Sequence, residues 1–404
     1  MKRWLKIALV LTGLLLLSQT PFIYRRYQLG RLSATIAELN SERTAPDETD
    51  AYTDYKGVIH VHSSLGGHSA GSFADIIQAA TSNGLAFVVM TEHPSGDFDT
   101  AEMTLRGVKR GILFINGNEI NAADRDRLLI FPGSAPFNGA RPLSTQDTIN
   151  QAKRNGQLVF IAYPDQFRSW DATGFNGIEV YNLYTNARKI HYLTLFFDGL
   201  WSYRSYPSLL WTRFYERPAE NLKKWDELTA VANERIVAIA GNDAHANIGI
   251  SLQEATGKKI FGIQLDPYER SFAVVRNHVL LGKDQSLTSE TLLAALRDGH
   301  SYISFDLLCD GSGFRYTAEN SRGKKIMGDE IALDDGVQLT VTTPVKSRIT
   351  FFRNGQIIKE EKDTSKADLR AAEKGVYRVE AYLDRLPPPL NEKPWIISNP
   401  IYVR

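Results

Sequence analysis

The run Gly57-Val58-Ile59-His60-Val61-His62-Ser63 sets two imidazoles two residues apart. In a strand, alternate side chains share one face, so both rings can reach a single metal ion. Three more apolar runs close on polar residues of the same kind: Phe87-Val88-Val89-Met90-Thr91-Glu92-His93, Ile115-Asn116-Gly117-Asn118-Glu119-Ile120 and Ile239-Ala240-Gly241-Asn242-Asp243-Ala244-His245. Four strand ends thus supply His60, His62, His93, Glu119, Asp243 and His245. Any one of these alone reads as structural. Jointly, with four of the eight histidines at the same kind of address, they form a nitrogen and oxygen donor set suited to Zn²⁺, Mn²⁺ or Fe²⁺ and large enough for two ions.

Ions held a few ångströms apart lower the pKa of a shared water and clamp an oxyanion, which accounts for the donors without a nucleophilic side chain. No G-x-S-x-G elbow is present to support a serine nucleophile. Asp243 or His245 is placed to pass a proton to a leaving group. The single cysteine, Cys309, excludes an internal disulfide and a Cys-based zinc site.

The elements that must carry these residues follow from apolar patterning. Strands are predicted at 58–61, 86–91, 112–116, 128–131, 158–162, 178–181 and 236–240, with helices over 72–83 and 144–155, each opened by a capping Ser. Alternating strand and helix implies an α/β parallel barrel, in which chemistry gathers where strands end. An aromatic-rich insertion, 183–225, holds Tyr192, Phe196, Phe197, Trp201, Tyr203, Tyr206, Trp211, Phe214 and Tyr215. Lying between two metal motifs, it is expected to pack on the barrel, to line a pocket with a few rings, or to rest against a bilayer. After a helix over 289–297 and a strand over 302–305, the chain turns to short strands and turns. Asn354-Gly355 marks a two-residue hairpin, and 310–404 reads as a small all-β sandwich.

At the other end, Trp4 to Ile23 is mostly apolar and about twenty residues long, enough to cross a bilayer core. With no A-x-A-like cleavage site after it, residues 1–24 read as an uncleaved anchor, and 25–55 as a helical stalk and polar linker. Lys2, Arg3 and Lys6 place the start of the chain in the cytoplasm and the body outside it, periplasmic or extracellular. The chain has 404 residues and a formal charge of +1, but six cations precede the first acid, Glu38, leaving the remainder at −5. An acidic body is not expected to bind nucleic acid.

The order H-x-H-S, T-(D/E)-H, G-x-E-I, G-I-E-V-Y-N and D-x-H resembles the PHP (polymerase and histidinol phosphatase) metallohydrolases over 56–306. Tyr302-Ile303-Ser304-Phe305-Asp306 and Trp395-Ile396-Ile397-Ser398-Asn399-Pro400-Ile401-Tyr402 are similar to the CehA/McbA branch. The resemblance implies a distorted (β/α)7 barrel with two or three divalent ions. His60 and His62 would bind one ion, Glu119 would bridge, His93 would serve the neighbour, and Asp243 with His245 would close the site. His68 matches a further ligand of trinuclear members. The implied activity is ester hydrolysis on a small molecule: phosphoesters first, a carboxyl or carbamate ester as the alternative.

Two departures matter. Tyr163 in Ala162-Tyr163-Pro164 stands where many members have His, and a neutral phenol is a poor ligand. Tyr163 is therefore expected to bond a substrate oxygen or to pack at the rim, and it also leaves open a non-catalytic envelope binding protein. Glu92 replaces the usual Asp of T-D-H and is expected to orient a ligand rather than bind metal. Arg168, after Tyr163-Pro164, is a candidate partner for an anionic substrate.

Overall fold

The computed structural model describes residues 3–45, 50–67, 69–134, 142–187, 192–231, 235–247, 249–253, 259–264, 266–334 and 336–404. His68 lies outside them.

The predicted anchor and stalk form one helix, α1 (Arg3–Ser41), 39 residues long and uninterrupted by Pro21. Its most apolar 18-residue window has a mean hydropathy of 1.8 and is only 6% buried, so by length and composition it can cross a membrane. Further along, Leu29, Leu32 and Leu39 are buried against the body.

The strands that carry the predicted site are β1 (Tyr52–Val61), β2 (Phe87–Met90), β3 (Gly107–Lys109), β4 (Ile112–Ile115), β5 (Asn118–Asn121), β6 (Arg127–Phe131), β7 (Leu158–Ala162), β8 (Gly177–Asn182) and β9 (Val237–Ala244). β1 is parallel to β2 and to β9, β9 to β8, and β8 to β7. β6 runs antiparallel to both β7 and β5. A bridge from Glu92 to Asn118 joins the extension of β2 to β5, and the sheet closes. The barrel is therefore mixed rather than parallel. The five residues between β5 and β6 can make a hairpin but not the crossover that a parallel pair needs.

Between the strands lie α2 (Phe73–Ser82), α3 (Thr100–Met103), α4 (Thr145–Arg154), α5 (Leu183–Ala187), α6 (Tyr192–Ser202) and α7 (Ala219–Val231). Ser72 and Ser144 cap α2 and α4 as predicted, each accepting from the backbone N–H three residues on. Strand–helix alternation holds at β1–α2–β2 and β6–α4–β7 but not at β4–β5–β6, where one hairpin replaces two units.

β10 (Gly249–Gln253) and β11 (Lys259–Gln264) pair as a separate two-stranded hairpin; the main sheet continues after α8 (Tyr268–Ser271) with β12 (Arg276–Gly282), α9 (Ser289–Asp298) and β13 (Ser301–Ser304). β12 pairs with Tyr52–Gly57, so the end of the predicted linker is strand. The tail comprises β14 (Arg315–Asn320), β15 (Gly323–Ile326), β16 (Glu330–Ile331), β17 (Val337–Arg353), β18 (Gln356–Ala371), β19 (Gly375–Tyr382), β20 (Ile396–Ser398) and β21 (Ile401–Val403). Asn354 and Gly355 turn β17 into β18 with φ of 48° and 78°, the left-handed pair that a tight hairpin requires. The register of β17 against β18 shifts between Thr342 and Ser347, around Pro344, which has no N–H to give. β20 pairs with both β13 and β19, carrying hydrogen bonds from tail to body.

One buried ionic group adds to that junction and a second lies within the body. Arg378 is bonded to Asp226 (2.6 and 2.8 Å) and Glu380 (2.6 Å). His278 lies 2.9 Å from Asp54 and 3.2 Å from Asp306. Coulombic attraction to these two carboxylates outweighs the desolvation that would favour the neutral ring, and pushes the His278 pKa up to about 9.

Candidate metal centre

The two-residue repeat of β1 breaks at His60. Ile59 pairs with Val89 and Val61 with the next residue, Met90, so His60 is an extra residue with φ of 69°. A bulge re-aims a side chain. The rings of His60 and His62 converge, with centroids 5.1 Å apart, through this bulge rather than through simple alternation. Tyr163, just past β7, and Asp243, in β9, each have φ of 49°. Left-handed backbone costs an L-residue roughly 1–2 kcal/mol. Three strained residues in one cluster mark a place where packing holds side chains in set directions.

Glu119 Oε2, on β5, is the centre of the group. It lies 3.3 Å from His60 Nε2, 3.2 Å from His62 Nε2 and 3.1 Å from His93 Nε2. Asp243 Oδ1 lies 3.4 Å from His60 Nε2, 3.5 Å from His62 Nε2 and 3.4 Å from His245 Nδ1. Donor atoms of His60, His62, Glu119 and Asp243 fall within 4.8 Å of one another, as do those of His62, His93 and His245. The two groups share His62.

Burial alone would neutralise both carboxylates, but hydrogen bonds from His60, His62 and His93 hold Glu119 well below the usual range. The charge of His60 and a hydrogen bond from His62 do the same for Asp243. The carboxylates therefore stay ionised, as ligands must. Asp243 Oδ1 is buried, and its nearest neighbours are the imidazoles of His60, His62 and His245 at 3.4–3.5 Å. A buried anionic oxygen facing three imidazoles fits a cation between them. The donors suit divalent ions of the zinc, manganese and iron kind.

Surrounding residues fix these donors. Glu179 Oε1, on β8, lies 2.5 Å from His60 Nδ1, which leaves Nε2 to face Glu119 and Asp243. Asn182 donates to Glu179 Oε2 (3.1 Å) and Asp243 Oδ2 (3.3 Å). Gly241 leaves the passage for this contact: a Cβ there would stand 1.6 Å from Glu179 Oε1. Since a carbonyl only accepts, the 2.8 Å contact of His245 Nδ1 with the Asp243 carbonyl fixes the proton on Nδ1 and leaves Nε2 its lone pair. Glu92 takes bonds from Ser63 N and Oγ and from Thr104 Oγ1, and its carbonyl accepts from Glu119 N. These bonds tie Glu92 to the chain beside His62 and Glu119.

The Tyr163 phenol donates to Asp243 Oδ2 at 2.6 Å. Burial, then the charges of Asp243 and Glu119, push its pKa far up, so it keeps its proton and acts as a donor. Its hydroxyl is thus spent on Asp243 instead of a substrate. Arg168 is exposed, and its backbone N–H bonds Asp126. The arginine at the site is Arg127, on β6. It lies 3.1 Å from Glu119 Oε1 and over the Tyr163 ring, half-exposed in a cavity of about 810 Å³ that His93, Glu119, Tyr163, Tyr184 and His245 also line. Of the aromatic insertion, Tyr184 lines this cavity, while Trp211, Phe214 and Tyr215 are buried in the core.

The sequence reading brought together His60, His62, His93, Glu119, Asp243 and His245, and the structure gathers all six. It quoted Glu179 and Asn182 within G-I-E-V-Y-N without giving either a role, and it missed Arg127. Glu179 carried a signal, a carboxylate inside the apolar strand Gly177–Tyr181; Arg127 carried none beyond its place before Leu128. A third donor group, His278, Asp306 and Asp310, is already countered by Arg276 and Lys56.

No family model and no curated protein matches the chain. Among solved structures, a two-domain protein of Bacteroides vulgatus ATCC 8482, described as containing a predicted PHP-like metal-dependent phosphoesterase, has a TM-score of 0.38 and 16% identity, covering 89% of this chain and 98% of its own. PsfC from Pseudomonas syringae PB-5123 has a TM-score of 0.38 and 13% identity, covering 63% and 92%.

Proposed function

We propose that this chain is a metal-dependent hydrolase of ester bonds, with phosphoesters as its substrate class. The observation that carries the reading is the buried pair of carboxylate oxygens, Glu119 Oε2 and Asp243 Oδ1, each within 3.5 Å of three imidazole nitrogens and opening onto one cavity. Divalent ions held by His60, His62, His93, Glu119, Asp243 and His245 supply Lewis-acid activation of water and of the ester. Glu179 and Asn182 hold His60 and Asp243 in the ligating orientation. Tyr163 restrains the second oxygen of Asp243. Arg127, the half-exposed cation beside Glu119, meets an anionic substrate oxygen, and this favours a phosphoester over a neutral carboxyl or carbamate ester. On this reading the closed sheet is a distorted (β/α)7 barrel of PHP type, and α1 tethers a periplasmic or extracellular body to the membrane.

The test uses full-length protein in detergent, stripped of metal and reloaded with Zn²⁺, Mn²⁺ or Fe²⁺. Turnover of a chromogenic phosphodiester is compared with that of a neutral aryl ester, and Arg127→Ala is expected to lower kcat/KM for the phosphodiester far more than for the neutral ester. The commitment of Tyr163 to Asp243 favours a second reading, a metal-loaded binding protein. Bound metal without hydrolysis of either ester decides for it.

A further inference from the structure

Helix α6 is inside out for a helix in water. Its single charged residue, Asp198, is buried and paired with Arg25 (3.1 Å) and Arg213. Leu193, Phe196 and Leu200, spaced to share one face, are 62%, 55% and 66% exposed. A soluble surface helix shows the reverse arrangement.

The position of α6 names what covers that face. Trp201 Nε1 donates to Gln19 at 3.1 Å, Phe197 packs on Phe22 with ring centroids 5.2 Å apart, and Arg26 bonds the Trp201 carbonyl and Ser205. α6 therefore joins α1 at the end of the apolar run. Exposed Tyr24 and Tyr27 lie at this level and exposed Trp4 at the other end, as aromatic residues do at the two faces of a bilayer. From Trp4 to Tyr24 is twenty residues, about 30 Å of helix, the thickness of the hydrocarbon core.

From this we infer that α6 is an interfacial helix, lying along the outer surface of a phospholipid bilayer with Leu193, Phe196 and Leu200 among the acyl-chain ends. Arg26, bonded to the Trp201 carbonyl and Ser205, stands beside it at headgroup level, a cation that a phosphate layer accepts. The inference rests on α1 being the membrane anchor.

The full chain can be labelled with an environment-sensitive fluorophore at Phe196→Cys, Leu200→Cys, Leu11→Cys in the apolar run, or Ile357→Cys on the exposed face of β18, and reconstituted in phosphatidylcholine vesicles with and without brominated acyl chains. Native Cys309 is buried and its thiol pushed up to about 12, so labelling falls on the introduced thiol. Labels at 196 and 200 are expected to shift to the blue and to be quenched severalfold more than the label at 357, approaching the label at 11. Water-exposed emission at 196 and 200 with lipid quenching at 11 overturns the inference and leaves the anchor standing. Water exposure at 11 as well removes both. Labels at 196 and 200 that are shielded from aqueous quencher yet untouched by brominated lipid point to a second copy of the chain, and also overturn it.

Discussion

Gly241→Ala tests how His60 is held. The new Cβ would stand 1.6 Å from Glu179 Oε1, 2.6 Å from its carboxyl carbon and 3.1 Å from His60 Nδ1. Unstrained carbon contacts need about 3.5 Å, so the Glu179 carboxylate must retreat by roughly 2 Å. It has no slack for that, being fully buried and bound to His60 at 2.5 Å and Asn182 at 3.1 Å. His60 then loses the partner that fixes its ring and proton. Removing such an outer partner costs about 10–100-fold in metal affinity, or about 1.4–2.8 kcal/mol. Calorimetric titration of metal-stripped protein with Zn²⁺ or Mn²⁺ reads the change, and circular dichroism confirms that the variant is folded. Gly199→Ala, where nothing lies within 4 Å, is the control with unchanged affinity. A folded Gly241→Ala protein that binds metal as tightly as wild type would refute the positioning role of Glu179.

Other consequences can be measured directly. Tyr163→Phe strips Asp243 Oδ2 of its 2.6 Å donor and leaves only the 3.3 Å bond from Asn182. Metal-free protein should lose about 1–3 kcal/mol in urea denaturation, and an unchanged midpoint contradicts the assignment. His278 titrates near 9 when folded against 6.5 unfolded. The raised pKa contributes stability that is fully present below about 6.5 and lost as pH rises through about 9, on the order of 3 kcal/mol. Denaturation between pH 6 and 10 should show this loss in wild type and not in His278→Gln, which starts out less stable. Parallel curves for the two proteins count against the buried cation. Loading metal to a hundred times its Kd should stabilise the chain by about 2.7 kcal/mol, reversed by a chelator; a midpoint insensitive to both would mean no native-state site.

Much of this arrangement can be read locally. Apolar runs that end in His, Glu or Asp announced the four strand ends, Ser72 and Ser144 announced their helices, and Asn354-Gly355 announced its hairpin, because each signal lies within a few residues of what it specifies. What escaped depends on distant pairings. The bulge at His60 exists only because β1 meets β2 and β9 at once. The direction of β6 follows from its hairpin with β5, where apolar patterning says nothing of parallel or antiparallel. Arg127 and Arg168 are equally plausible as words in a sequence, yet only the first lies on a strand facing Glu119. Asn182 looked like a strand end until Glu179 and Asp243 came within reach of its amide. The outward face of α6 was hidden among other aromatic residues, most of which do pack inward.

The central claim is that His60, His62, Glu119 and Asp243 enclose a divalent cation. Anomalous diffraction at the absorption edge of a metal soaked into crystals of the full chain tests it most directly. The account predicts a peak about 2.0–2.3 Å from His60 Nε2, His62 Nε2 and the facing oxygens of Glu119 and Asp243. Peaks confined to other places, with these four side chains bonded only to one another, would contradict it.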